Sequence, residues 1–296
     1  MMRGARFNYA VTLLVIVLWS TMLPSSIAAP MSSFTPPTNI TVRMYRLFSG
    51  GGSTGILCSS NDTSYGCTAF VGDSGHAYPY GTNNPITIPI ETDYLLDVVP
   101  SEVSVEAFHP TAIQAQAIAA RSYAYWHINQ GSTINNSTQF QVFVPYAFEV
   151  LPPTTFPDNS GDPCASNNLN DDQRIVCSAV APRHYISYGT YPNDDLPAFT
   201  EYFADIPNRT LNGGQPYLIA VDDPISSHPD IVQDGHGHGM SQKGASRWAR
   251  GNLSYSEPDY PKHPQLGSRG LYHPFRHLCH LRLWQFLVQR LWLADL

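Results

Sequence analysis

Charge is scarce in this sequence. Only 13% of its 296 residues are Asp, Glu, Lys or Arg, the 16 basic residues are outnumbered by 23 acidic ones, and the formal net charge is −7. A nucleic-acid partner needs basic stripes that neutralise phosphates, so none is expected. Also missing is an apolar run of membrane-span length. The stretch from Ala10 to Trp19 is too short to cross a bilayer with ease. With Arg3 and Arg6 before it and the small-residue pattern Ser26-Ile27-Ala28 after it, it reads as a secretory signal over residues 1–28. The competing reading is an uncleaved anchor, but the Pro24-Ser25-Ser26 break suits a peptidase better than a helix. No cysteine lies near the cleavage point, so membrane contact is expected only through an uncleaved signal.

Cysteine is sparse, and no CxxC pair occurs. Four of the five cysteines form two close pairs, Cys58 with Cys67 and Cys164 with Cys177. In an oxidising compartment each pair closes a small loop, and without a His/Cys cluster around either, a zinc site is the second reading. Cys279 is left over.

No internal repeat and no regular βαβ alternation is visible, which excludes solenoids and doubly wound sheets and points to an α+β fold in one mixed domain. Residues 29–38 are a Pro-, Ser- and Thr-rich lead-in. From Asn39 to Leu47 apolar and polar residues alternate, predicting a strand with Ile40, Val42 and Met44 on one face; Ile86 to Ile90 is a second short strand. The clearest helix starts at Pro110 and runs to about Asn129, with few polar residues before its last turn, so it should be buried on most sides. Pro152 to Asp172 reads as a long loop, Ile175 to Tyr188 carries mixed strand signals, and Pro216 to Val221 reads as a strand. The turn Asp234-Gly235-His236-Gly237-His238-Gly239 then feeds a helix from Met240 to Ala249, stopped by Gly251. Tyr and Trp are well represented and offer flat faces on which sugar rings stack, although secreted proteins are often Tyr-rich for other reasons.

Glu102 is the best acid/base candidate from the residues alone. It follows an apolar, strand-like run and a proline, so its carboxyl should sit at a bend beside apolar walls, where partial desolvation raises its pKa toward neutrality. The alternative is that Glu102 merely charges the N-terminal end of the helix region. In the turn, His236 and His238 can hydrogen-bond sugar hydroxyls, and Ser241 and Gln242 add donors in the first helical turn. A two-histidine metal site competes with that role. One intervening residue is poor geometry for a helix-borne pair and no acidic partner lies close in sequence, so neither a metal nor another cofactor is expected.

Two segments carry a resemblance: Tyr94 to Val103 followed by Ala115 to Ala124, and later His236-Gly237-His238-Gly239-Met240-Ser241-Gln242-Lys243-Gly244-Ala245. With Pro216-Tyr217-Leu218 and Asp222-Asp223-Pro224 between them, they resemble the stage II sporulation protein D / LytB family across roughly residues 39–255. The resemblance implies an exported cell-envelope protein acting on peptidoglycan, as a lytic transglycosylase that cleaves the MurNAc–GlcNAc bond or as an enhancer of a wall amidase. It places the catalytic glutamate at Glu102 and assigns Arg121 to holding the Glu102 loop or a substrate carboxylate, with a plain structural ion pair as the equal alternative. His236 matches the family's histidine, whereas His238 stands where a small apolar residue is usual. Some members similarly carry a zinc site made from a histidine and cysteines after the long helix; here His127 has Phe140 where cysteine is expected, so His127 should be a polar helix terminus satisfied by a neighbour. Glu201 is a possible second carboxylate with nothing to bring it near Glu102. Residues 256–296 form an atypical tail whose acids nearly vanish, with a reading-frame change as the favoured explanation over a membrane-touching segment or an ordinary helix.

Overall fold

A computed structural model describes residues 34–158, 161–188 and 195–250, together with the backbone of 293–294. The signal, the stop at Gly251, Cys279 and nearly all of the atypical tail lie outside the described residues. Among the described residues no helix is long and apolar enough to cross a membrane.

The alternating segment forms two strands, β1 (Asn39–Arg43) and β2 (Tyr45–Leu47). Ile40, Val42 and Met44 are buried as the alternation requires. Strand β2 pairs antiparallel with β3 (Ser53–Leu57). Strand β1 is the centre of a three-stranded sheet, antiparallel to β4 (Ile86–Pro89) and parallel to β5 (Ile134–Asn135).

The run after β4 is helical, not extended as the sequence suggested. A π-type turn at Ile90–Tyr94 leads into helix α1 (Leu95–Glu102), and Leu95, Leu96, Asp97, Val98 and Val99 are all buried. A continuous apolar run gives no alternation, so periodicity alone cannot separate a buried strand from a buried helix. Glu102 is the last residue of α1, so it does not charge a helix N-terminus.

Helix α2 (Pro110–Asn129) has the predicted bounds. The His109 ring accepts the Thr111 N–H as an N-cap, and Pro110 occupies the first turn, where its missing N–H costs nothing. One face, with Ile113, Ala117, Ala120 and Ala124, packs on the sheet and α1 in the main core. The other, with Ala112, Ala115, Ile118 and Ala119, packs against Ile186, Leu218, Met240 and Trp248 in a second core. The helix is therefore the partition between the two halves of the domain.

Three further expectations fail locally. Asp171–Val180 is helix α3, opened by a capping box between Asn170 and Gln173, and only Tyr185–Ile186 (β6) is extended in the region read as mixed strand; the backbone of 293–294 pairs with it. Residues 216–221 are not a strand; pairing begins only at Asp222–Asp223, which is antiparallel to Asn208–Arg209. Met240–Ser241 is a short strand parallel to Tyr202–Phe203, and the final helix, α4, is Gln242–Arg250. Both expected disulfides are present, Cys58–Cys67 and Cys164–Cys177.

Candidate active site

A cavity of about 370 Å³ opens between the C-terminal end of α1 and the glycine–histidine turn. Glu102, Tyr123 and Phe140 line one side, and Glu201, Tyr202, Gly235, His236 and Gln242 the other. The sequence separation between the two walls is about 100 residues, bridged by α2 and by the pairing of Tyr202–Phe203 with Met240–Ser241.

Glu102 keeps partial exposure as a residue, but its carboxyl is enclosed by protein. That burial pushes its pKa up to about 7, opposed by three hydrogen bonds that favour the anion. The Val142 N–H donates to Oε1 at 2.5 Å. The other two come from the Tyr202 hydroxyl and the Gln242 side chain. Tyr202 is itself oriented, since Gln141 donates to its hydroxyl at 2.9 Å and also to the Ala120 carbonyl of α2 at 3.1 Å. Gln242 is tied to the backbone of the same residue, its Nε2 donating to the Glu102 carbonyl at 3.3 Å. The result is a carboxyl held in one orientation with a pKa near neutrality, able to give and take a proton in the same pH range. Tyr202, Gln141 and the Val142 N–H have no local sequence signal; Tyr202 arrives on the strand paired with Met240–Ser241, and Gln141 and Val142 lie in the irregular segment that follows β5.

The second wall is set by glycine. Gly237 and Gly239 have positive φ, +82° and +79°, and a Cβ on Gly239 would lie 2.0 Å from the Glu201 carbonyl oxygen. That close approach allows the Met240 N–H to donate to the Glu201 carbonyl at 3.0 Å, which sets Glu201 beside the two imidazoles. One ligand atom each of Glu201, His236 and His238 lies within 4.8 Å of the others. His238 Nδ1 stands 3.9 Å from Glu201 Oε2, an oxygen that is buried without a hydrogen-bond partner. The His236 ring is oriented by the His238 N–H, donated to its Nδ1 at 3.0 Å, and by a hydrogen bond with the Tyr202 backbone.

Behind this wall the helix α4 is anchored by buried polar contacts. Arg247 pairs with Asp205 at 2.6 and 2.8 Å, and Trp248 Nε1 donates to Asp223 at 2.7 Å. Burial raises the Asp223 pKa to about 6 despite the Ser226 and Trp248 donors. The Asp222-Asp223-Pro224 segment thus serves the scaffold.

Of the residues singled out from sequence, Glu102, His236 and Gln242 meet at the cavity, and His238 stands behind His236. Arg121 does not. It is fully buried on the far side of α2, donating to Glu91 at 2.7 and 2.9 Å and to the carbonyls of Val180 and His184, so the ion-pair alternative describes it. Ser241 is also fully buried, its Oγ accepting the Gly244 N–H, and it offers nothing to the cavity. His127 is not satisfied by a polar neighbour: neither ring nitrogen has a hydrogen-bond partner, and the ring packs among Tyr123, Trp126, Phe140 and Phe199. Burial there depresses its pKa to about 4. Glu201 was the residue sequence spacing could not locate, and it shares the cavity with Glu102.

Compared with curated proteins, the chain has no match. Residues 81–188 match the SpoIID family, described as stage II sporulation protein. That stretch includes α1, Glu102 and the whole of α2, the wall that carries the carboxyl. That match, over the stretch with Glu102 at the end of one helix and the partition helix behind it, supports a SpoIID/LytB assignment and makes this part of the chain similar to a family associated with cell-wall peptidoglycan processing.

Proposed function

We propose that this protein is an exported lytic transglycosylase that cleaves the bond between MurNAc C1 and GlcNAc O4 in peptidoglycan. The observation that carries the reading is the enclosed Glu102 carboxyl, with a pKa pushed up to about 7, facing a cavity bounded by the glycine–histidine turn. Protonated Glu102 gives its proton to the glycosidic oxygen as the C1–O4 bond breaks. The resulting carboxylate takes the proton of the MurNAc 6-hydroxyl as O6 bonds to C1, leaving a 1,6-anhydro end and Glu102 protonated again. One carboxyl serves both steps, so the fixed pair of a hydrolase is not needed. Tyr202 and Gln242 keep the carboxyl aimed in both protonation states, and His236 lies on the opposite wall within reach of a sugar hydroxyl.

The two disulfides fit an oxidising compartment outside the cytoplasm, in keeping with export through the N-terminal signal. The test is incubation of purified wild-type and Glu102→Gln protein with intact and peptide-stripped glycan strands, with products read by mass spectrometry. Anhydro ends from the wild type, reduced about 10²–10⁴-fold in the variant, are expected. Reducing ends would indicate hydrolysis instead. Binding of glycan without any cleavage by either protein, together with stimulation of a wall amidase, would replace the enzyme reading with that of an enhancer.

A further inference from the structure

The transglycosylase reading gives no role to Glu201 or His238 and only a hydrogen-bonding one to His236, yet together the three side chains have a further chemistry. Two imidazoles and one carboxylate converge within 4.8 Å, with His238 Nδ1 only 3.9 Å from Glu201 Oε2. Glu201 Oε2 is a buried acceptor that nothing hydrogen-bonds. An acceptor in that position costs free energy unless a cation or donor reaches it.

We propose that Glu201, His236 and His238 bind a divalent transition metal, with zinc the best-fitting ion. Ligand atoms bonded to zinc at about 2.0–2.1 Å in a tetrahedron stand roughly 3.3 Å apart. Closing the present separations to that value takes about 1 Å of side-chain adjustment, and the metal exchanges one of the two contacts His236 now makes for a coordinate bond. Two histidines and one glutamate suit zinc, and three protein ligands leave a coordination position for water or a substrate oxygen. Because His236 and Glu201 line the cavity, that position belongs to the same groove as Glu102.

The backbone supports the site as well. The positive φ of Gly237 turns the chain between the two histidines, and Gly239 brings the turn onto the Glu201 backbone. The other compact donor group among the described residues, Cys58, Asp62 and Cys67, is unsuited: its sulfurs form a disulfide and Asp62 is paired with Arg46.

The experiment is a cobalt(II) titration of tag-free, chelator-treated protein, read by visible absorption, followed by zinc competition and metal analysis after dialysis. One equivalent of cobalt with the intense bands of a four- or five-coordinate ion, displaced by zinc, is expected. His238→Ala and Glu201→Gln should each weaken binding at least about 10-fold, whereas His127→Phe should retain it. Glu102→Gln should also retain it, which separates this proposal from the catalytic one: metal can bind whether or not glycan is cleaved. Absence of saturable one-to-one binding by the folded wild type overturns the proposal, as does unchanged affinity in both ligand variants. Circular dichroism checks each variant, and if His238→Ala does not fold, Glu201→Gln alone decides.

Discussion

The two walls of the cavity are built in different ways. The Glu102 wall is made of helices whose apolar residues pack on a sheet, and it lies inside the stretch that matches the family. The Glu201–histidine wall, outside that stretch, depends on single glycines, two-residue strand pairing and buried polar anchors. The first derives its position from large apolar burial, which tolerates many sequences. The second derives its position from close backbone approach, which one added methyl group disrupts.

The largest effect should come from the scaffold of the first wall. Arg121→Ala leaves Glu91 partly buried without its ion-pair partner and removes a guanidinium donor from each of the Val180 and His184 carbonyls. It should cost about 3–5 kcal/mol in urea denaturation. On the second wall, Gly239→Ala forces a Cβ into the Glu201 carbonyl at a positive φ and should cost about 1–3 kcal/mol. Its distinguishing feature is selectivity: Glu102 keeps its Val142 contact, while cobalt binding at the histidines is lost. Equal loss at both walls would show that they do not form independently.

The pH responses separate the walls further. A raised carboxyl pKa means that the fold favours the protonated form, so the contribution of Glu102 to stability is complete below about pH 4.5 and is lost as pH rises through about 7. Cleavage should decline over the basic side of the same range, because the acid is consumed. Urea midpoints at pH 5 and pH 8 should therefore differ more in the wild type than in Glu102→Gln. His127 has the opposite sign. Its folded pKa of about 4 lies below the ordinary 6.5, so its contribution is complete above pH 6.5 and is lost as pH falls toward 4. His127→Phe should flatten the acid limb of stability and leave cleavage intact. The smallest effect is expected from Tyr202→Phe, which removes a hydrogen bond favouring the Glu102 anion and should move the basic limb of activity to higher pH. An unmoved limb would show that Val142 and Gln242 alone hold the carboxyl.

Much of the first wall was legible. The Pro110–Asn129 helix was readable because Pro110 marks its first turn and its length far exceeds any strand. The inward face of β1 was readable from alternation. The Leu95–Val99 run was misread because full burial erases the pattern that distinguishes a helix from a strand. Helix α3 had a visible signal that strand propensity overrode, the Asn170 and Gln173 capping box. Of the residues that line the cavity, Glu102, His236 and Gln242 were singled out from sequence; Arg121 was assigned to the Glu102 loop or a substrate carboxylate, with a structural ion pair as the equal alternative, and only the fold supplied Glu91 as its partner.

The sequence by itself determined the long buried helix, the glycine–histidine turn, the two cysteine pairs and the desolvated setting of the Glu102 carboxyl, because each is written in local composition and spacing. Only the tertiary structure decided that Glu201 and Tyr202 face Glu102, that Arg121 serves the core, and that Glu201 completes a cluster with two histidines. Those relations depend on which segments pair across a separation of about 100 residues, and such pairing is set by the packing of the whole domain on both faces of α2.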